Sequence, residues 1–222
     1  TTEDFACFRS IVGSSIYPPA DSLPTKLIAK ELLERPKFSY IRLDRDSLPN
    51  ISPEITNVDL NRGFKVFGNI NNDKIVLISH GRMLHKCLEI YNNNLNKFVC
   101  VDILRSKPFP KDLPKEISSC KGIVVVDEQS PSGNLSSCVF EGFSEQSYFP
   151  KIISKSLPEK YIFEKNQNYR KFQKKHFNCV PKSRKCSKFG VSKKVISDSG
   201  VFPVVGFRGF ECFRVEETFS FR

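Results

Sequence analysis

Three short apolar runs constrain this chain more than any other feature: "KIVLIS" at 74–79, "KFVCVDIL" at 97–104 and "GIVVVDE" at 122–128. Each is rich in Val and Ile and is followed by a segment of different character. "GRMLHKCLEIYNN" places Met83, Leu84, Cys87, Leu88 and Tyr91 on one side of a helix, "PKDLPKEISSC" reads as a short helix, and "GNLSSCVFEGFSE" as another. Strands that are apolar along their whole length are buried on both faces, which happens when helices cover a parallel sheet. An α/β fold with a mainly parallel sheet is therefore expected. "FKVFG" reads as a strand leading in, "KIISKS" as an edge-like strand leading out, and "NYRKFQKKHF" as a final helix, so that one unit runs from about 64 to 178.

The first fifty residues carry the same alternation. "EDFACFRSI" sets Phe5, Phe8 and Ile11 at helical spacing, and "SSIYPPAD" is a short strand stopped by Pro18-Pro19. In "DSLPTKLIAKELLERP", Asp21 or Ser22 can cap a helix whose stripe is Leu27, Ile28, Leu32 and Leu33. "FSYIRL" is the next strand. Its continuation, "YIRLDRDSLP", reads Tyr40, Ile41 and Leu43 as core and then places Asp44, Arg45 and Asp46 side by side. Residues 46–63, with Pro, Asn and Asp and no sustained period, read as a linker.

At 222 residues and 39% hydrophobic, the chain is long enough for a domain with a core. No run approaches the ~20 apolar residues of a spanning helix, so no membrane association is expected. The opening "TTEDF" is not a charged-then-apolar leader, so secretion is not expected. Eight scattered cysteines include no CxxC and no zinc spacing. Read as buried reduced thiols, they suit a cytoplasmic location. The net charge of +11 is uneven: residues 179–222 hold nine Lys/Arg against four Asp/Glu, and seven of the twenty Phe. That tail is expected to have low order. Its basic stretch, "KKHFNCVPKSRKCSKFGVSKK", is the place where a nucleic acid or an acidic partner would bind, but it lacks the aromatic-basic interleaving of a known module, which disfavours nucleic acid.

Three places could carry chemistry. "ISHG" at 78–81 turns a strand into a helix, and N–H groups there attract anions. His80 and Gly81 would form that anion site, although a plain β–α turn explains the residues as well. "VVDEQSPSGN" at 125–134 puts Asp127 and Glu128 at the C-terminal end of a strand, where α/β sheets present function; a solvated turn is the competing reading. Arg45 ends a strand with a fork of donors suited to phosphate or carboxylate. From the residues alone, a surface ion pair with Asp44 or Asp46 is favoured. His85 and His176 fall within helical patterns and read as packing or surface residues.

Five stretches in order resemble the transketolase family of thiamine-diphosphate enzymes. They are "EDFACFRSIVGSSIYPPAD", "YIRLDRDSLPN" with its Arg-x-x-Leu-Pro ending, "KIVLISHGRMLHKCLEI", "LRSKPFPKDL" and "KGIVVVDEQSPSGNLSSCVFEGFSE", and together they cover about residues 2–178. The resemblance implies the end of a pyrimidine-binding domain over 1–50, a linker over 51–63, a three-layer α/β/α transketolase C-terminal domain over 64–178, and a divergent tail over 179–222. It implies transfer of a two-carbon ketol unit between sugar phosphates. It also implies that Arg45 binds the substrate's phosphate, and that a homodimer or a partner chain supplies the remaining domains. Thiamine diphosphate and Mg2+ would be held by those domains and not by this chain, which would be inactive alone. Related thiamine-diphosphate enzymes, deoxyxylulose-phosphate synthase and the β chain of 2-oxoacid dehydrogenases, are alternatives, as is a binding module using the basic tail. The chain departs from the family at Asp44, where a small residue is usual and where a carboxylate is expected to compete with phosphate for Arg45. It departs also at His80, at Gln129, and in "GNLSS", which lacks two of the family's glycines.

Overall fold

A computed structural model describes residues 2–51 and 55–159. The elements are α1 Asp4–Ser10, β1 Ser15–Tyr17, α2 Ser22–Glu34, β2 Ser39–Ile41, α3 Asn57–Arg62, β3 Phe64–Phe67, β4 Ile75–Ser79, α4 Gly81–Asn92, β5 Phe98–Ile103, α5 Leu113–Glu116, β6 Gly122–Val126, α6 Leu135–Phe143 and β7 Ile152–Lys155. β1 and β2 form a small parallel sheet, and the other strands form a five-stranded sheet ordered β3-β5-β4-β6-β7. Its β4, β5, β6 and β7 pair in parallel, while β3 runs antiparallel along β5. The chain thus has the expected α/β fold with a mostly parallel sheet. The final helix expected at 168–177 and the tail at 179–222 lie outside the described residues.

The period of two along each strand sorts the side chains onto two faces. Val76, Ile78, Val99, Val101, Ile103, Ile123 and Val125 share one core with Leu135, Cys138, Val139 and Phe143 of α6. Leu77 and Cys100 alternate with these and face the other way, where α4 packs on β4 and β5 with Met83, Leu84 and Cys87 buried. Helices on both faces explain why these strands carry no polar alternation.

Local chemistry sets the element ends. The Asp21 carboxylate accepts from the Leu23 N–H and caps α2. Residues 57–62 of the segment read as a linker are helical, because Thr56 and Asp59 close a capping box. Gly63 then stops α3 at φ +85°, a conformation in which a Cβ is strained. Two further expectations fail in detail: Leu43 is 61% exposed rather than core, and Cys7 is an exposed thiol. The four other described cysteines are buried, and all five are free.

The front segment shares its interior with the large sheet. Phe5 and Ile16 belong to the same apolar core as β4, β5 and β6. The Ile16 N–H donates to the Lys107 carbonyl (3.0 Å) and the Ser106 N–H to the Ile16 carbonyl (2.9 Å). Arg9 donates to the Gly133 carbonyl (3.0 Å) and pairs with Glu141 (2.5 Å).

Candidate functional site

The charged run at the end of β2 is held from across the chain. Arg82, in the first turn of α4, donates through Nε and Nη2 to the two oxygens of Asp44, both at 2.5 Å, and through Nη2 to Asp46 Oδ2 at 2.7 Å. Asp44 Oδ1 also accepts from the Asp46 N–H (2.8 Å), which closes a tight Asx turn around residue 45. Burial alone would raise the Asp44 carboxyl. The Arg82 hydrogen bonds and the Asp46 N–H outweigh that and hold it below the usual carboxylate range. Arg45, between the two acids, is exposed, and no hydrogen bond or ion pair engages it among the described residues. The expected competition of Asp44 for Arg45 is therefore not what the structure shows, since a different arginine takes that carboxylate.

The inward-facing, part-buried arginine of this stretch is Arg42. β2 ends at Ile41, yet the Arg42 N–H still donates to the Tyr17 carbonyl (2.9 Å), so Arg42 follows Tyr40 on the inward side. Its Nη1 donates to Glu128 Oε1 (2.7 Å), and its Nε lies 3.3 Å from Asp4 Oδ2. With the Gln129 amide turned to satisfy both ends, its oxygen accepts from Arg42 Nη2 (2.6 Å) and Nε (3.0 Å), and its nitrogen donates to Asp4 Oδ1 (3.1 Å) and the Thr2 carbonyl (2.9 Å). Tyr40 stacks on Phe8 at 3.8 Å, and its hydroxyl donates to Asp4 (2.5 Å). Burial works against the Arg42 charge, but Glu128, then Asp4 and Asp127, more than offset it and raise its pKa. Sequence reasoning passed over Arg42, Arg82 and Asp4. Arg42 left one trace, its place two residues beyond Tyr40 in a strand with an inward side.

His80 and Gly81 sit at the start of α4, as expected from "ISHG". His80 is 1% exposed. Its Nε2 lies 3.1 Å from Asp127 Oδ1 and its Nδ1 3.4 Å from Ser106 Oγ, and its ring meets Phe5 edge-on at 5.3 Å. The Gly81 N–H donates to the Pro18 carbonyl (3.1 Å) at φ +53°. Burial would raise the Asp127 carboxyl, but the His80 ring and the Leu135 N–H overcome that and lower it. Asp127 also accepts from the Gln129 N–H, so it orders the turn into α6. These groups face one another inside the protein. His85 Nε2 donates to the Ala20 carbonyl (2.9 Å), in the packing role expected of it.

Among the described residues, no three His, Cys, Asp or Glu side chains form a group that could hold a metal ion, and no helix is long and apolar enough to cross a membrane.

No protein-family model matches the chain. It is 25% identical over 172 residues to "Transketolase-like protein 2" of Bos taurus, an alignment covering 74% of this chain and 26% of that protein. It is 24% identical over 163 residues to "Transketolase-like protein 1" of Mus musculus, covering 70% and 26%. The chain thus spans about a quarter of the length of these relatives. Among solved structures, a split-gene transketolase described as an inactive β4 tetramer superposes with a TM-score of 0.62 at 26% identity, over 72% of this chain and 53% of that one. A Pichia stipitis transketolase in complex with sedoheptulose 7-phosphate superposes at a TM-score of 0.50 and 17% identity, over 72% and 23%, a likeness of fold.

Proposed function

The chain is homologous to transketolase over about seven tenths of its length, and on that premise we propose that it is the C-terminal part of a transketolase-like enzyme that moves a two-carbon ketol unit between sugar phosphates. In this reading residues 1–50 end the pyrimidine-binding domain, 64–178 form the C-terminal domain, and other domains, from a longer chain or a partner, hold thiamine diphosphate and Mg2+. The assembly is a dimer or larger and works in the cytoplasm, in keeping with the free thiols. The likeness to an inactive β4 assembly supports a part that needs partners for turnover.

The observation that carries the reading is the state of Arg45. It lies exposed at the end of β2 with both neighbouring carboxylates engaged elsewhere. A guanidinium held this way offers its fork to a phosphate arriving from solvent. The test is reconstitution: the full chain is mixed with a transketolase N-terminal part that binds the cofactor, and ketol transfer from xylulose 5-phosphate is followed. The chain should restore turnover, and Arg45→Ala should raise KM for phosphorylated substrates about tenfold or more, a charge-assisted pair being worth that much. No turnover above the N-terminal part alone would overturn the assignment.

A further inference from the structure

The sequence around the phosphate-binding arginine presents a problem in charge. Asp44 and Asp46 flank Arg45, and two carboxylates beside one guanidinium would neutralise it and repel an incoming dianion. Arg82 removes that problem. It covers Asp44 with two parallel N–H···O bonds and Asp46 with a third, so the four groups sum to zero while, of the two guanidinium groups among them, that of Arg45 is left open. Arg82 sits on α4, whose residues Met83, Leu84 and Cys87 are buried against the large sheet. The partner that holds the loop is therefore anchored in the body of the fold. The Asx turn between Asp44 and the Asp46 N–H shares the same carboxylate, so one contact sets both the charge and the shape of the loop.

We propose that Arg82 is a positioning residue for sugar-phosphate binding, which keeps Arg45 available by taking both acids that flank it. The proposal rests on the reading of Arg45 given above. It also accounts for the pairing of an acid at position 44 with a basic residue on α4: the two belong together, and either alone would damage the site.

The test uses the full chain and two probes, ribose 5-phosphate and unphosphorylated ribose, with binding measured by titration calorimetry or by ligand-observed NMR. Arg82→Ala frees Asp44 and Asp46 to turn on Arg45, and should weaken ribose 5-phosphate binding about fivefold, the scale of a part-exposed charge pair. Ribose binding should be unchanged. The triple variant Asp44→Asn, Asp46→Asn, Arg82→Ala removes the competing charges along with their keeper and should return affinity to within about twofold of the parent. Arg45→Ala should lose the preference for the phosphorylated sugar. Arg82→Ala binding like the parent overturns the proposal, and so does a triple variant as weak as Arg82→Ala, which would mark the loss as structural. If Arg45→Ala binds ribose 5-phosphate like the parent, the phosphate-binding reading of Arg45 fails first and the role of Arg82 falls with it. An effect of Arg45→Ala without one of Arg82→Ala removes only the inference drawn from Arg82.

Discussion

Asp102 is the residue whose substitution has the most clearly defined consequence. It lies on β5, opposite Ser79 of β4 and Lys65 of β3 in the ladders, and is fully buried. Neither carboxyl oxygen has a hydrogen-bond partner among the described residues. Lys65, its neighbour across the ladder, extends to Asp59 at 3.3 Å. Burial, with the Asp21 carboxylate adding to it, pushes the Asp102 carboxyl well above its usual range. In the unfolded chain the group ionises near pH 3.9. Above that pH, and up to the raised value of the folded state, the unfolded chain has lost a proton that the folded chain keeps. Stability therefore falls as pH rises through this window, by about 1.4 kcal/mol per pH unit. Asp102→Asn has nearly the same shape and cannot ionise. It should show no such slope, so its stability relative to the parent should improve by that amount for each unit within the window. A constant offset from the unpartnered amide, about 1–3 kcal/mol, is superposed and does not change with pH. Urea unfolding of both proteins at pH 4.5, 5.5 and 6.5, with equal m-values, reads the difference directly. Stabilities of the two that run parallel across the three pH values would refute the argument.

Arg42→Met should cost about 3–5 kcal/mol in urea unfolding at pH 7, because it leaves Glu128 and Asp4 part-buried without their cation, and adding Glu128→Gln should recover part of the loss; a loss below about 1 kcal/mol would show that the cluster is solvated. The Tyr40 phenol is pushed up to about 12, by burial first and by its hydrogen bond to Asp4 second. It should therefore still be protonated at pH 11, and an ultraviolet titration should show a late-ionising component that is lost in Tyr40→Phe.

The strand–helix alternation was legible because β4, β5 and β6 are apolar on both faces, and only a covered parallel sheet buries such strands. The short helix at Asn57–Arg62 escaped notice for the opposite reason. Six residues cannot display a helical period, and its signal was the Thr56–Asp59 spacing of a capping box. At "YIRLDRDSLP" the hydrophobic residues misled: Leu43 faces solvent and Arg42 faces inward, because a part-buried arginine is stabilised by acids 38 residues before it and 86 after it. No local pattern encodes such partners. The same holds for His80, whose neighbours Ser106 and Asp127 are brought in by separate strands. Arg45 was singled out through resemblance, but the Arg82–Asp44 pairing beside it joins two elements that sequence order keeps apart.

The common interior of Phe5, Ile16 and the large sheet has a mechanical consequence. Domains that rotate against one another meet across modest, largely polar surfaces that can slide or hinge. Here the front segment and the sheet are joined by a buried apolar contact and by the main-chain bonds between Ile16 and residues 106–107. Opening it would expose apolar surface with no compensating gain. In the proposed role, Arg45 would therefore meet a phosphate from a turn set on a frame that does not hinge at this contact.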